Sequence, residues 1–175
     1  MFSPIKNDVS GNINKLKGFQ KCSKGSNLLD LVQTEIEANT THKSHSATDA
    51  LLWLKRGLWM LYYFFEQVVA TEGAVDAKQA FSQAYDQSLA KHHNFAVKII
   101  IKAGLRAAAP SFDQFTEKVC AYKMPNDKNP EAHCRNLPFD QKKAVVLKEL
   151  EKYIKPMKEV LSIIDNFYAK NGLPE

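Results

Sequence analysis

The sequence predicts an all-helical protein of about seven or eight helices in a single domain over residues 1–175. Three observations lead there. Apolar residues recur at helical spacing throughout, no segment alternates with the period of a strand, and Asp49 to Val69 forms a long apolar-rich stretch that suits a central helix. In that stretch Leu51, Leu54, Leu58, Leu61, Phe65 and Val69 share one face, and Trp53, Gly57, Met60, Phe64 and Val68 fill the next. The arc is wider than the stripe of about 100° on an ordinary surface helix, so packing on two sides is expected. Lys55, Arg56, Trp59, Tyr63 and Glu66 are left at its wet edge. The uncharged run from Gly57 to Phe65 falls far short of the roughly 18 to 20 residues that a bilayer span needs.

The other elements follow in order. Pro4 and the Asn7-Asp8 pair precede a helical pattern that runs to about Cys22, with Asp8 a candidate cap. Ser26 opens a second helix, carried by Leu28, Leu29, Val32 and Ile36, and the polar stretch from Ala38 to Ser46 is a loop. Thr48 is positioned to cap the central helix, and Gly73 ends that region. Asp76 to Leu89 and Lys91 to Ala109 read as helices, the second stopped by Pro110, and Ser111 to Ala121 as a short one. Met124 to Pro138, with three prolines and three asparagines, reads as a surface loop. The last helix spans Phe139 to Lys170, with Pro156 expected to kink or divide it and Asn171-Gly172 to close it.

Composition narrows the function classes. The formal net charge is +5, but no dense Lys/Arg run points to nucleic acid, so no such partner is expected. The three cysteines, Cys22, Cys120 and Cys134, lack metal-ligand spacing and are odd in number, which fits a reducing compartment. With no secretion signal at the N-terminus, the cytoplasm is the expected location, and no metal or cofactor is implied.

Two placements are unusual. Asp8, Asn12 and Lys15 stand at i, i+4 and i+7, within about 60° of one another, and border the face formed by Val9, Ile13 and Leu16. A cap and a solvated face with an Asp–Lys attraction also account for that spacing, and spacing alone does not overturn that reading. In the helix from Lys91, His93 points with Val97, Ile100 and Gly104, an otherwise apolar face. It reads either as a satisfied core histidine or as one whose partner is a ligand. Lys98, Lys102 and Arg106 surround Phe95 on the other side, which suits a contact with lipid headgroups or an ordinary solvated face.

Three segments taken together, DVSGNINKLK at Asp8 to Lys17, LLWLKRGL at Leu51 to Leu58 and LAKHHNF at Leu89 to Phe95, resemble the glycolipid transfer protein family. The resemblance implies a two-layer all-helical sandwich that moves glycosphingolipids between membranes without chemistry. By motif position, Asp8, Asn12 and Lys15 would bind the sugar, with Asp8 also taking the sphingoid amide N–H. Trp53 would be the platform for the first sugar, and His93 would donate to the acyl-amide carbonyl. Superfamily members that carry phosphorylated ceramide put basic residues where Asn12 and Trp53 stand, so the resemblance favours sugar over phosphate, with Lys15 and Arg56 keeping the phosphate alternative open. The chain departs from the family pattern in beginning almost at the first motif, without the helix the family places ahead of it. It also has Phe95 where members often carry tryptophan, and a loop around His133 and Cys134 to which no role is given.

Two other classes compete. An enzyme using Asp8, Lys15 and His93 would need a nucleophile motif or metal set, and none accompanies them: His42 and His45 fall in a polar loop. A sensor or binding module would share the same site but not move lipid.

Overall fold

The computed structural model describes residues 3–22, 27–108, 110–121 and 134–175. Among the described residues seven α-helices appear in order: α1 Ser3–Cys22, α2 Leu28–Glu37, α3 Ala47–Ala70, α4 Ala77–Gln87, α5 Phe95–Ala108, α6 Phe112–Ala121 and α7 Phe139–Lys170. Short 3₁₀ turns cover Ala90–His92 and Cys134–Asn136, and no strand occurs among the described residues. No described helix is long and apolar enough to cross a membrane. The chain divides into two compact units, one of Phe2–Trp59 with Lys158–Glu175, the other of Met60–Met157.

The first unit is organised by Leu16, Leu51, Leu54 and Tyr168, with Val9 and Ile13 of α1 packed against this core. Its helix starts correct three expectations. Helix α1 begins at Ser3, so Asp8 is an interior residue and not a cap; Pro4 is tolerated because a first-turn N–H has no intrahelical acceptor. Asn27 caps α2, accepting from Leu29 and Asp30 N–H while the Asp30 carboxylate accepts from Asn27 N–H; Ser26 lies outside the described residues. Helix α3 is capped by Ser46, whose Oγ accepts from Asp49 N–H at 3.0 Å. Thr48, expected as that cap, instead donates its N–H and hydroxyl to the Glu35 carboxylate at 2.9 and 2.6 Å. Glu35 also accepts from Ala47 N–H at 2.7 Å, so α2 supplies a second cap to α3.

Lys55 is the largest correction in this unit. Placed by periodicity at the wet edge, it is 3% exposed, with Nζ 2.6 Å from Asp165 Oδ1 and 4.5 Å above the Tyr168 ring. One helix seen alone presents Lys55 to solvent; Asp165, 110 residues later, covers it. The Tyr168 hydroxyl donates to the Thr48 carbonyl at 2.8 Å. Gly172, at φ +65°, closes α7 as expected, with Leu173 N–H returning to the Tyr168 carbonyl at 3.0 Å.

The second unit has an aromatic core: Phe64 stacks on Phe81 with centroids 3.7 Å apart, and Phe115 meets Phe64 edge-on at 6.1 Å. Gly73, at φ +74°, ends the α3 region as expected, with its N–H on the Val68 carbonyl at 2.8 Å. A Cβ there would lie 2.3 Å from Phe112 Cε1. Asp76 caps α4, and Ser111 caps α6 by accepting from Gln114 N–H at 3.1 Å. Cys120 and Cys134 form a disulfide, which runs against the reading of the three cysteines as fitting a reducing compartment. Of the expected surface loop, residues 124–133 lie outside the described residues, and Cys134–Asn136 is a 3₁₀ turn. Pro156 does not divide α7, which runs unbroken for 32 residues. The boundary between the two compact units nonetheless falls at Met157, next to it.

Candidate lipid-binding site

The polar strip of α1 forms as its spacing predicts. Asn12 is buried to 4% exposure beside the core residue Leu16, while Asp8 and Lys15 are exposed. Lys15 Nζ reaches Asn12 Oδ1 at 3.5 Å, a long contact that leaves most of the amide's bonding capacity for other groups. Helix α1 approaches α3 at Gly57, where an added Cβ would stand 3.9 Å from Val9 Cγ2. Trp53 is one turn before that approach, so the strip and the indole belong to helices packed in the same unit.

Trp53 is half-buried, and the Arg56 guanidinium lies over its ring, 5.0 Å from the centroid. Arg56 is itself held: Nε donates to the Glu175 carbonyl at 2.9 Å and Nη2 donates to the same oxygen. Burial lowers the Arg56 pKa from its ordinary value, opposed chiefly by the Asp49 carboxylate, and the group stays protonated. Arg56 therefore fixes one face of the indole. Trp59, also expected at the wet edge, is half-buried with Nε1 donating to Asp165 Oδ2 at 2.7 Å. Asp165 thus holds both Lys55 and Trp59, and sequence periodicity gave no sign of it.

The second unit holds His93, and here the expected geometry fails. His93 is not on α5; it occupies the extended joint before it, at φ −103° and ψ 141°, after the 3₁₀ turn Ala90–His92. Asn94 starts α5 by accepting from Val97 N–H at 3.0 Å. An asparagine immediately before an apolar run is a helix-start signal, and it carries the information that the continuous reading from Lys91 to Ala109 lost. His93 Nδ1 lies 3.0 Å from the Tyr85 hydroxyl, the two rings stacked at 5.8 Å.

With His93 removed from the helix, the buried side of α5 also shifts. Leu105 is buried, but Ile100 is 71% exposed and Gly104 is exposed, so the apolar face proposed around His93 is not core. Phe95 is 78% exposed, as expected, and Ile99 at 53% extends that surface. Lys98 is half-buried, Lys102 pairs with Asp86 at 2.8 Å, and the Arg106 side chain lies outside the described residues. No group of three or more His, Cys, Asp or Glu suited to a metal occurs among the described residues.

Residues 1–121 match the glycolipid transfer protein (GLTP) family. The chain belongs to the glycolipid transfer protein family. Its relatives include pleckstrin homology domain-containing family A member 8 of Mus musculus, 33% identical over 99% of this chain and 31% of that protein. A glycolipid transfer protein of Aureobasidium melanogenum is 30% identical over 96% of this chain and 72% of its own length. This GLTP-family chain therefore spans about 31% of the length of the first of these relatives. Among solved structures, one described as showing how FAPP2 selects simple glycosphingolipids using the GLTP fold has a TM-score of 0.81 at 32% identity, over 99% of this chain and 77% of that one. Human ceramide-1-phosphate transfer protein, in complex with its lipid, has a TM-score of 0.73 at 19% identity, over 100% of this chain and 79% of that one, and shares the fold.

Proposed function

We propose that residues 1–175 act as one non-enzymatic lipid-binding domain that moves glycosphingolipids between membranes. The observation that carries this reading is that one unit holds both a buried neutral amide, Asn12, and an indole, Trp53, with Arg56 over its ring. A planar indole offers a contact surface to the C–H face of a sugar, and a carboxylate and an amide fix hydroxyl positions through directional bonds. In this reading Asp8, Asn12 and Lys15 bind the sugar, Asp8 also takes the sphingoid amide N–H, and Trp53 is the platform. His93 donates to the acyl-amide carbonyl. Each buried CH₂ of the ceramide chains contributes about 0.8 kcal/mol, nearly what the bilayer already provides, so exchange between membrane and protein is close to thermoneutral.

Phe95, with Ile99 and Ile100 beside it and Lys98, Lys102 and Arg106 on the same helix, is proposed as the transient membrane contact. We place this action in the cytoplasm. The Cys120–Cys134 disulfide is the observation that pulls the other way, since a glutathione-buffered compartment disfavours it.

A second reading, transfer of ceramide 1-phosphate, is favoured by the cations Lys15 and Arg56 beside the site residues Asn12 and Trp53. Vesicle-to-vesicle transfer of fluorescent galactosylceramide and ceramide 1-phosphate, measured in parallel with a protein-free blank, separates them. Galactosylceramide alone should move. Movement of only the phosphate lipid establishes the second reading, and binding of galactosylceramide without transfer marks a sensor.

A further inference from the structure

Tyr85 is fully buried in α4, and its hydroxyl has no other hydrogen-bond partner among the described residues than Nδ1 of His93 at 3.0 Å. A buried phenol has one proton to donate and is costly when it donates to nothing. Burial, and then the nearby Asp86, raise the Tyr85 pKa above its ordinary value, so the hydroxyl is a donor at neutral pH. Were Nδ1 to carry the imidazole proton, it would donate to the phenol oxygen and leave the phenol's own proton without an acceptor. With the lone pair on Nδ1, both groups are satisfied.

The joint is built to hold this contact. Ser88 donates to the Ala84 carbonyl at 2.7 Å, Leu89 N–H to the Tyr85 carbonyl at 3.0 Å, and His93 N–H to the Ala90 carbonyl at 3.3 Å. The chain turns back on α4 through these bonds, and the imidazole ring lies against the phenol ring at an interplanar angle of 29°.

We propose that Tyr85 is a positioning residue that fixes neutral His93 in the tautomer protonated at Nε2, so that the ring offers a donor to the lipid amide carbonyl. The inference rests on the function proposed above only for the identity of that acceptor. The test is a long-range ¹H–¹⁵N spectrum of the full 175-residue chain, free of lipid, with galactosylceramide transfer measured on the same samples. Wild-type His93 should show a pyridine-type Nδ1 and a pyrrole-type Nε2. In Tyr85→Phe this bias should weaken and transfer should fall on the order of fivefold, the worth of one hydrogen bond of about 1 kcal/mol. Tyr168→Phe, which also removes a buried hydroxyl, should leave the His93 nitrogens unchanged. A pyrrole-type Nδ1 in the wild type overturns the proposal, and that spectrum decides the matter even if Tyr85→Phe does not fold. An unchanged spectrum in a folded Tyr85→Phe overturns it too. The expected wild-type spectrum from a protein that moves no glycolipid upholds the proton assignment and overturns the transfer reading instead.

Discussion

Asn12, Ser46, Thr48 and Lys55 are buried in the unit of Phe2–Trp59 and Lys158–Glu175. The Met60–Met157 unit buries Ser88 and Thr116 among its described polar residues, and fills its interior with Phe64, Phe81, Tyr85 and Phe112. The difference shows where each unit's specificity resides. A buried polar group must be answered by a partner, so the first unit is laced with tertiary bonds: Glu35 to Thr48, Asp165 to Lys55 and Trp59. Such a scaffold can hold a polar strip and an indole at fixed positions. The aromatic unit needs few such bonds, and it leaves Phe95, Ile99 and Ile100 of α5 in the open.

The largest effect should come from the site residues. Trp53→Ala and Asp8→Val should each reduce galactosylceramide transfer to the protein-free blank while the helical circular dichroism is retained. His93→Ala should do the same. Unfolding of these variants would make the residues core groups, and normal transfer would reject the site.

Stability comes next. Asp165→Ala leaves the Lys55 ammonium buried and removes the acceptor of the Trp59 N–H, so urea denaturation should show a loss of about 3 kcal/mol. In the aromatic unit, Gly73→Ala combines a left-handed backbone with a clash against Phe112 and should cost about 2 kcal/mol. Gly172→Ala, with similar φ but open space, should cost about 1 kcal/mol. Thr116 Oγ1 is buried without a hydrogen-bond partner among the described residues, and Thr116→Val should be neutral or stabilising by up to about 1 kcal/mol. A substantial loss on that change would remove the contrast between the units. The smallest effect belongs to Phe95→Ala, which should slow transfer from membranes a few-fold and spare binding of a soluble short-chain glycolipid. Equal loss of both would place Phe95 in the ligand site instead of the membrane contact.

Several of these features were readable in the residues because they depend on neighbours close in sequence. The strip Asp8, Asn12 and Lys15 came out as drawn because α1 is unbroken from Ser3 to Cys22 and the helical period holds across it. The limits of α7 and the glycine closures at Gly73 and Gly172 came out for the same reason. His93 was misplaced because Asn94 restarts the helix, and a break of a few residues resets the phase of everything before it. The expected apolar face of α5 failed with it.

The sequence by itself determined the all-helical class, the order of the helices and the polar strip beside the core of α1, since local period and turn residues decide these. Only the tertiary structure decided that Lys55 is buried, that Arg56 covers Trp53, that Cys120 joins Cys134 and that Tyr85 meets His93. For Lys55 and the cysteines the reason is distance along the chain: the partner is supplied by a later element, and no spacing within one helix announces it. For Arg56 and Tyr85 the partner is near in sequence, but the contact depends on what anchors each side chain: the Glu175 carbonyl for one, and the turn between α4 and α5 for the other.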